Sequence, residues 1–505
     1  MQTPAKIFSA EQIRRADQDT IKTEPVASVD LMERAASACV NWIVQRYTTD
    51  TSFAIFCGPG NNGGDGLAMA RLLHTQDYSV TVYDLTGTSQ NTDDFRVNLE
   101  RWLAVAPGAY HCQANKNQPP SFTAGTVIID AIFGTGLSRP ITGAIEECIR
   151  TINTAEHTVL SIDIPSGLLA DGYTDPASAI VKATVTLSFQ FPKLAFFFPS
   201  NAAYVGDWEV LDIGLSKKFM AAEPANQYFL TEPYIRSLRK SRPRFSHKGT
   251  FGHALLIAGA YGKMGAALLA TEACLRSGVG LLTVHVPEAG YPILQSTHPE
   301  AMASVDRGEH LLTNMLVAGR FTATGVGPGI GTDPVTQQAL LQLLQNATGP
   351  LVLDADALNL ISLQENGPSL IPENSILTPH PKEFERLAGK TEHDFARYET
   401  QKKFSERYKV YVVLKGAFTC ITTPQGESYF NTTGNPGMAK GGSGDVLTGV
   451  LTSLLAQGYT PKETCLQGVY LHGLAGDLAC RHLGETAMLA GDIVRYLPEA
   501  FISLQ

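Results

Sequence analysis

The stretch Asn435-Pro436-Gly437-Met438-Ala439-Lys440-Gly441-Gly442-Ser443-Gly444-Asp445 leads directly into the apolar helical pattern Val446-Leu447-Thr448-Gly449-Val450-Leu451. Glycines let backbone N–H groups turn toward one point, and a helix that begins at Gly444 adds the positive end of its dipole. The stretch therefore predicts a phosphate site made by backbone amides. The alternative interpretation is a glycine-rich turn that only caps the helix.

Asp445 is the one carboxylate of this stretch. In the first turn of a helix a carboxylate stabilises the helix by about 0.3–1 kcal/mol, but beside a phosphate it repels the ligand unless it has a chemical role. We therefore predict that Asp445 is a general base. It would take the proton from a substrate hydroxyl as that oxygen attacks a terminal phosphoryl group, while the glycine amides stabilise the transferred oxygens.

Length and composition limit the possible classes of protein. A chain of 505 residues is too long for one hydrophobic core, and 44% hydrophobic with 17% charged residues is typical of globular domains, so two or three domains are expected. The net charge of −9 argues against binding to nucleic acid or to an anionic membrane, because both need a concentrated basic face.

The cysteines and the apolar runs predict the compartment. Eight cysteines are scattered without C-x-x-C pairs or metal spacing, which is typical of free thiols in a reducing environment. The first 17 residues mix charges and have no apolar signal region, and no run approaches the ~18 apolar residues of a spanning helix. We expect a cytoplasmic protein that does not enter a membrane.

The first half alternates strand and helix patterns. A buried strand at residues 52–57 runs into a glycine loop at residues 58–66, and a helix follows from Leu67. Further strands are expected at residues 80–83, 126–130, 158–163, 183–189 and 208–212. This alternation predicts an α/β fold with one doubly wound parallel sheet.

Three polar clusters follow strands of that sheet, at residues 61–65, 130–140 and 163–167. Ligands of doubly wound sheets bind beyond the carboxyl ends of the strands, so the clusters are expected to converge on one crevice. Their carboxylate, amide and hydroxyl oxygens suit a hard cation, and the low ligand charge favours a monovalent one. The alternative is three loops that bind no ligand.

A break at residues 215–228 has neither a clean period nor a strong apolar run, which indicates a linker between two domains. Beyond it the α/β alternation restarts with a second, different design. Strands are expected at residues 253–258, 280–286, 322–325, 350–354, 375–378 and 410–415. His380 lies between two prolines at a strand exit, and spacing alone leaves a structural hydrogen bond and a ligand role equally open.

These motifs together resemble the family of bifunctional NAD(P)H-hydrate repair enzymes over nearly the whole chain. In the first half the resemblance rests on residues 61–66, 130–136 and 163–167, and in the second half on residues 247–252, 378–383, 413–416 and the opening stretch. It implies a Rossmann-like NAD(P)HX epimerase domain at residues 1–220. A ribokinase-like, ADP- or ATP-dependent (S)-NAD(P)HX dehydratase domain would then occupy residues 225–505.

For the first domain, the resemblance implies interconversion of the R and S forms of NADHX or NADPHX, with a potassium ion held by Asn62, Asp130 and Ser166. Asp163 would touch the substrate, and we predict that it handles the proton during epimerisation. The hydrated cofactor would be bound by Asn61, Asn62, Gly63, Gly64, Asp65, Gly134, Thr135, Gly136, Leu137, Ser138, Arg139, Pro140 and Asp163.

For the second domain, the resemblance implies that Asp445 deprotonates the ring hydroxyl and that the phosphate added from the nucleotide then leaves. Magnesium is expected with ADP or ATP, and the epimerase-first order resembles the form that favours ADP. The hydrated nicotinamide would be lined by Ala266, Gly327, Gly329, His380 and Asp445. The nucleotide would be bound by Lys415, Gly416, Ala417, Phe418, Thr419, Gly441, Gly442, Ser443 and Gly444.

Two other functions stay open at this stage. The glycine-Asp arrangement also serves ribokinase-like vitamin kinases, which leave phosphate on their product. The first half could instead be a binding module without activity, although the polar strand ends at Asn62, Asp130 and Asp163 argue against it. We expect small-molecule substrates and a homo-oligomer.

Overall fold

The computed structural model describes residues 3–86, 91–112 and 122–505, and it divides the chain into two compact units. One unit is Ile7–Ala225, and the other joins the chain before Ile7 to Asn226–Gln505. The short strand Ala5–Lys6 pairs with a strand of the second unit. A strand of two residues has no periodicity, so the sequence ranges 1–220 and 225–505 did not include this return.

The strands are numbered in chain order. They are β1 (Ala5–Lys6), β2 (Ser52–Cys57), β3 (Ser79–Asp84), β4 (Tyr110–Cys112), β5 (Val127–Ala131), β6 (Val159–Ile162), β7 (Val185–Phe189), β8 (Asp207–Leu211), β9 (Gln227–Phe229), β10 (His253–Ile257), β11 (Leu281–Val286), β12 (Met302–Val305), β13 (Ala323–Val326), β14 (Leu351–Leu353), β15 (Ile376–Leu377), β16 (Tyr411–Leu414), β17 (Cys420–Thr422) and β18 (Ser428–Phe430).

The α-helices are numbered in the same way. They are α1 (Ala10–Thr23), α2 (Ser28–Val44), α3 (Asn61–His74), α4 (Asp93–Val105), α5 (Ala144–Thr154), α6 (Ala202–Val205), α7 (Lys217–Ala222), α8 (Glu232–Ser237), α9 (Met264–Arg276), α10 (Tyr291–Thr297), α11 (Pro334–Asn346), α12 (Ala355–Ser362), α13 (Pro381–Ala388), α14 (Asp394–Tyr408), α15 (Ser443–Ala456), α16 (Pro461–Ala487) and α17 (Ala490–Ser503).

The first unit is built on a parallel sheet of β2 to β8 in the order β4-β3-β2-β5-β6-β7-β8. Its central strands are continuous apolar runs because helices cover both faces, as the fully buried β5 shows. The strand order reverses between β2 and β5, and such a switch point leaves a crevice at the carboxyl ends. The expected doubly wound, Rossmann-like sheet is confirmed.

The second unit is built on a sheet in the order β1-β9-β18-β17-β16-β15-β14-β13-β10-β11-β12. Strands β10 to β16 pair in parallel, whereas β17 and β18 form an antiparallel continuation. The order reverses between β10 and β13, which places a second switch point beside the loops that follow them. Large apolar clusters fill the space between this sheet and the helices on either face.

One local prediction was wrong and a second was incomplete. Helix α3 begins at Asn61, so residues 61–66 form its first turns and not a loop. A Cβ at Gly63 would lie 1.9 Å from the Gly58 carbonyl oxygen, so this position requires glycine. The requirement holds even though each glycine destabilises a helix by ~1 kcal/mol. The division between the two units, at Ala225 and Asn226, falls within the linker or boundary expected at residues 215–228, but this range also contains helix α7 and most of strand β9, because short elements escape a periodicity analysis.

Within the described ranges, no helix is both long enough and apolar enough to cross a membrane. All eight cysteines are free thiols, and six of them are buried.

Candidate active sites

The first site begins at Asp130, near the carboxyl end of β5. Asp130 is fully buried and accepts hydrogen bonds from the Ser161 hydroxyl at 2.7 Å, the Ser166 hydroxyl at 2.5 Å and the Ser166 amide at 2.9 Å. Burial raises the pKa of Asp130, and these hydrogen bonds oppose the rise. The second and third polar clusters of the sequence therefore meet, as expected for neighbouring parallel strands.

Asn62, in the first turn of α3, joins the same crevice from the other side of the switch point. A Cβ at Gly134 would lie 3.5 Å from the Asn62 side-chain oxygen. Asn62 is 7% exposed, and its side-chain nitrogen is buried without a hydrogen-bond partner among the described residues. Asn62, Asp130 and Ser166 thus provide amide, carboxylate and hydroxyl oxygens in one region, a donor set that fits potassium.

Asp163 follows β6 in a left-handed conformation with φ 66°, which is uncommon outside glycine and often marks a functional residue. Its carboxylate lies 2.6 Å from the ammonium of Lys193, a side chain that is completely buried. The Lys193 ammonium also donates to the Ser188 hydroxyl at 2.9 Å and to the Phe191 carbonyl at 3.0 Å. The structure thus pairs the predicted epimerase acid/base with a fixed cation.

Two more carboxylates interact electrostatically with Asp163. Burial, Asp163 and Asp17 raise the pKa of Asp65 well above its ordinary value. The pKa of Asp17, on α1, rises to about 7 because it is buried and close to Asp163, while Lys193 opposes this rise. Carboxyl groups that hold protons near neutral pH can act as acids or bases there. The centre around Asp163 therefore contains three carboxyl groups, those of Asp163, Asp65 and Asp17, and one lysine.

The remaining predicted residues of the first site lie around this centre. Asn61 is exposed at the start of α3, while Gly63, Gly64 and Asp65 are buried behind it. Thr135 and Leu137 are partly buried, and Gly136, Ser138, Arg139 and Pro140 are exposed. The structure thus brings together the residues near Asp163 and Asp130 and leaves residues 138–140 on the surface of the same loop.

The second site is organised by Asp354, which follows β14 and is 1% exposed. One carboxylate oxygen accepts a hydrogen bond from the Lys415 ammonium at 2.9 Å, and the other accepts one from the Thr448 hydroxyl at 2.7 Å. Glu383 lies 3.9 Å from the same ammonium. Burial lowers the pKa of Lys415, but Asp354, Glu383 and Asp445 outweigh it, so the pKa is raised and the ammonium stays charged.

Asp445 lies in the first turn of α15, beside this group. Burial and the charge of Asp354 raise its pKa to about 7, whereas Lys415 opposes the rise. A general base is most effective when its pKa lies near the working pH, because it is then both available and strong enough to accept a proton. The environment of Asp445 therefore matches the role that its sequence position predicts.

The glycine cradle has the geometry expected of an anion site. Gly442 caps α15 in a left-handed conformation with φ 96°, and a Cβ at Gly444 would lie 3.2 Å from the Lys415 ammonium. The Ser443 hydroxyl is buried without a partner among the residues that the structure describes. Gly441 faces open space, so the amides at the start of α15 are accessible next to a cation.

His472, on α16, contacts the backbone of this turn through a hydrogen bond. Its ring nitrogen Nε2 lies 2.9 Å from the Ser443 carbonyl oxygen, and burial lowers the pKa of His472 to about 4. A neutral ring next to a carbonyl must donate its one N–H, so the hydrogen bond sets the tautomer. His472 therefore acts on the cradle through Ser443.

Among the predicted substrate residues of the second site, Ala266 follows β10, Gly327 and Gly329 follow β13, and His380 follows β15. Gly329, with φ 62°, is close to Ala266, since a Cβ on it would lie 3.1 Å from that of Ala266. A Cβ on Gly327 would lie 1.9 Å from the Asp354 carbonyl oxygen, so the two backbone segments are in close contact. His380 caps α13, accepts the Lys382 amide at 3.1 Å, and leaves about half of its ring exposed.

The loop of Lys415, Gly416, Ala417, Phe418 and Thr419 connects β16 with β17. It is held by the Thr419 hydroxyl, which donates to the Gly416 carbonyl at 3.1 Å. Because Lys415 lies near Gly444, this loop and the glycine cradle border one space. The two predicted nucleotide segments therefore adjoin each other, although they are more than twenty residues apart in the chain.

Among the described residues, no group of three or more His, Cys, Asp and Glu side chains is arranged to hold a metal ion. Magnesium in phosphoryl-transfer sites usually takes one or two carboxylates, with phosphate oxygens and waters as the other ligands. Asp354 and Glu383 are suitable carboxylates beside the phosphate cradle, so the second site fits such an ion.

Sequence analysis missed several of these residues. Two of them could have been found from the sequence. Lys193 is a lysine within the aromatic run Phe-Gln-Phe-Pro-Lys-Leu-Ala-Phe, and Asp354 is a carboxylate directly after an apolar strand. Asp17 and His472 lie on helices far from any motif, so their roles depend on packing alone.

Two family models match the chain, one to each unit. The model described as YjeF-related protein N-terminus covers residues 28–195. The model described as NAD(P)H-hydrate dehydratase covers residues 254–499. The first range contains Asp130, Asp163 and Lys193, and the second contains Asp354, Lys415 and Asp445.

Curated relatives match over the full length. The bifunctional NAD(P)H-hydrate repair enzyme of Moorella thermoacetica is 35% identical over 99% of this chain and 97% of its own. The enzyme of the same name from Coxiella burnetii is 34% identical over 97% and 98%. An ADP/ATP-dependent NAD(P)H-hydrate dehydratase from Bacillus subtilis, co-crystallised with ATP and Mg²⁺, covers 55% of this chain and 98% of its own, with 34% identity and a TM-score of 0.50. The chain belongs to the family of bifunctional NAD(P)H-hydrate repair enzymes.

Proposed function

We propose that the two sites perform successive steps of one repair. The unit Ile7–Ala225 interconverts the R and S forms of NADHX and NADPHX, and the other unit dehydrates the S form to NADH or NADPH. The observation that carries this proposal is that each unit places a carboxylate next to a lysine ammonium in its candidate site, Asp163 beside Lys193 in one and Asp445 beside Lys415 in the other. The names of the full-length relatives support the same pair of activities.

In the dehydration, Asp445 takes the proton of the ring hydroxyl, and that oxygen attacks the terminal phosphoryl group of ADP. A bond forms between oxygen and phosphorus while the bond to the AMP leaving group breaks. The phosphate ester then leaves the ring as inorganic phosphate, pushed out by the electron pair of the ring nitrogen, and the neighbouring ring carbon loses a proton so that the double bond of the dihydropyridine forms. Lys415 and the amides of Gly442 to Gly444 stabilise the charge on the transferred oxygens.

The positions of the other predicted residues give them roles in the same step. Ala266, Gly327, Gly329 and His380 form the wall on which the hydrated nicotinamide lies. The loop 415–419 and residues 441–444 hold the nucleotide. Asp354 and Glu383 would hold magnesium, which would neutralise charge on the phosphates.

In the epimerisation, Asp163 takes and returns a proton at the hydrated ring, and Lys193 keeps the carboxylate in place between turnovers. Residues 61–65 and 134–140 bind the hydrated cofactor. Asn62, Asp130 and Ser166 would hold potassium, which would supply a positive charge in this crevice. Removal of potassium, with sodium as the replacement, is expected to slow epimerisation and to leave dehydration of the S form unchanged.

The test separates the two activities within one chain. Asp445→Asn should lose about 10²- to 10⁴-fold in dehydration rate, the usual contribution of a general base, and keep epimerisation. Asp163→Asn should dehydrate the S form normally while the R form accumulates. A mixture of the two variant proteins should repair both forms. Unchanged dehydration in Asp445→Asn, or unchanged loss of the R form in Asp163→Asn after correction for spontaneous epimerisation, would refute the corresponding assignment.

The proposal includes ADP as the preferred donor, a homo-oligomeric assembly and a cytoplasmic location. The eight free thiols support a reducing compartment. Parallel assays with ADP and ATP test the donor, light scattering tests the assembly, and fractionation of cells tests the location.

A further inference from the structure

A cavity of about 380 Å³ lies in the unit Asn226–Gln505, away from the site described above. Its wall includes the end of α9 and the end of α15, with Gln467 of α16 and Phe501 of α17 on the other side. Helices α9 and α15 carry Ala266 and Asp445 in their first turns. Because these helices have 13 and 14 residues, the cavity is about 20 Å from the catalytic end.

The charge of this cavity is unlike that of the chain as a whole. Arg239, Lys240, Arg242 and Arg276 line it, and none of its described lining residues is Asp or Glu. The segment 233–271 contains seven Lys or Arg residues and no acidic residue, although the chain has a net charge of −9. Such a cavity attracts anions.

Two of the four cations serve a structural role as well. Lys240 donates to the Gly458 carbonyl at 2.5 Å, and Arg242 donates to the Gly278 carbonyl, so both cap the ends of helices. Their side chains also lie over aromatic rings, Lys240 over Tyr459 at 4.6 Å and Arg242 over Phe251 at 3.7 Å. Capping therefore explains part of the charge.

The other two cations have no comparable role. Arg276 meets Glu272 only at 3.9 Å, and in the described part of the chain the Arg239 guanidinium has no ion pair or hydrogen bond. Ser277, which lies beside them, is only 3% exposed, and its hydroxyl also has no hydrogen-bond partner among the described residues. Because Ser277 is buried, its hydroxyl lacks the partner that buried polar groups normally have, and the two guanidinium groups beside it are available to an acceptor in the same cavity.

We propose that this cavity binds a phosphate-bearing small molecule. Guanidinium groups match phosphate oxygens in paired hydrogen bonds, and the volume lies within the range of small-ligand sites. The aromatic rings of Phe251 and Tyr459 give the ligand an apolar border. The site differs from the nucleotide cradle because it lies at the opposite ends of α9 and α15.

Calorimetric titration of the full-length protein with inorganic pyrophosphate, in magnesium-free buffer of low ionic strength, tests the proposal. Arg239→Gln/Arg276→Gln removes the two uncommitted cations, and Lys403→Gln/Arg407→Gln removes two exposed cations of α14 as a matched control. Lys415→Met weakens binding at the catalytic end only.

The parent protein should bind one more pyrophosphate per chain than Arg239→Gln/Arg276→Gln, or bind it at least about tenfold more tightly. The α14 control and Lys415→Met should retain that binding event. Dehydration without pyrophosphate should be unchanged in Arg239→Gln/Arg276→Gln, which also shows that the variant is folded. Equal binding by the parent and this variant, or equal losses in the variant and the α14 control, would overturn the proposal.

Discussion

The charge of Asp354 should set the pH at which dehydration begins, because it is the charge that most raises the pKa of Asp445. Two like charges about 6 Å apart interact by about 3 kcal/mol at an effective dielectric constant of 20, which is about two pKa units. Part of Asp445 faces solvent, so we expect about half of that. Asp354→Asn should therefore lower the pKa of Asp445 by about one unit.

The assay is the pH dependence of kcat/KM for the S isomer, which reports the pKa of the free enzyme's base. In the parent the rate should rise with pH and reach half of its plateau near pH 7, since Asp445 acts in its ionised form. In Asp354→Asn the midpoint should fall toward pH 6, whatever the height of the plateau.

Two further variants test the direction and the size of the shift in the pH midpoint. Lys415→Met removes the cation that lowers the pKa of Asp445, so its midpoint should move upward. Asp356 raises the same pKa less than Asp354 does, so Asp356→Asn should shift the midpoint down by a smaller amount. Midpoints that coincide in all four proteins would refute Asp445 as the titrating base.

Three other changes test the structure around the two sites. Gly63→Ala should destabilise the first unit by about 1–3 kcal/mol or more in chemical unfolding, because its Cβ would lie 1.9 Å from a carbonyl oxygen, whereas Gly60→Ala, with nothing within 4 Å, should not. His472→Phe should raise KM for ADP several-fold by freeing the Ser443 carbonyl, with a circular dichroism spectrum like the parent's. Asp445→Asn should unfold at a higher temperature than the parent at pH 8, and this difference should shrink toward pH 4. The pKa of Asp445 in the folded protein is about 7, above the ordinary 3.8, so ionisation of this carboxylate destabilises the fold as the pH rises through this range. The first expectation would be contradicted if Gly63→Ala and Gly60→Ala had equal free energies of unfolding. The second would be contradicted by an unchanged KM for ADP in His472→Phe, and the third by a difference in unfolding temperature that does not depend on pH.

The sequence predicted the sheets well because their central strands are short apolar runs between polar loops. The strands β2, β5 and β16 are almost entirely buried, and burial on both faces leaves no alternation to mislead the analysis. It failed where packing overrides local preference. Helix α3 begins among glycines because its backbone approaches Gly58 closely, and no local pattern reports such an approach.

The candidate sites divide in the same way. Asp163, Asp130 and Asp445 were found because each lies next to a strand or a glycine motif that has a recognisable order in the chain. Lys193 and Asp17 contribute to the same centre from a loop after β7 and from the first helix. Their relation to Asp163 exists only after folding, since no spacing along the sequence connects them.

The most direct test of the account is to incubate the purified protein with a mixture of R and S NADPHX, magnesium, potassium and ADP. Reduced-nicotinamide absorbance and inorganic phosphate are followed together. Complete recovery of both isomers is expected, with one phosphate released for each reduced nicotinamide formed. Recovery of the S isomer alone would contradict the role of the first unit, and phosphate that stays on the substrate would contradict the role of the second.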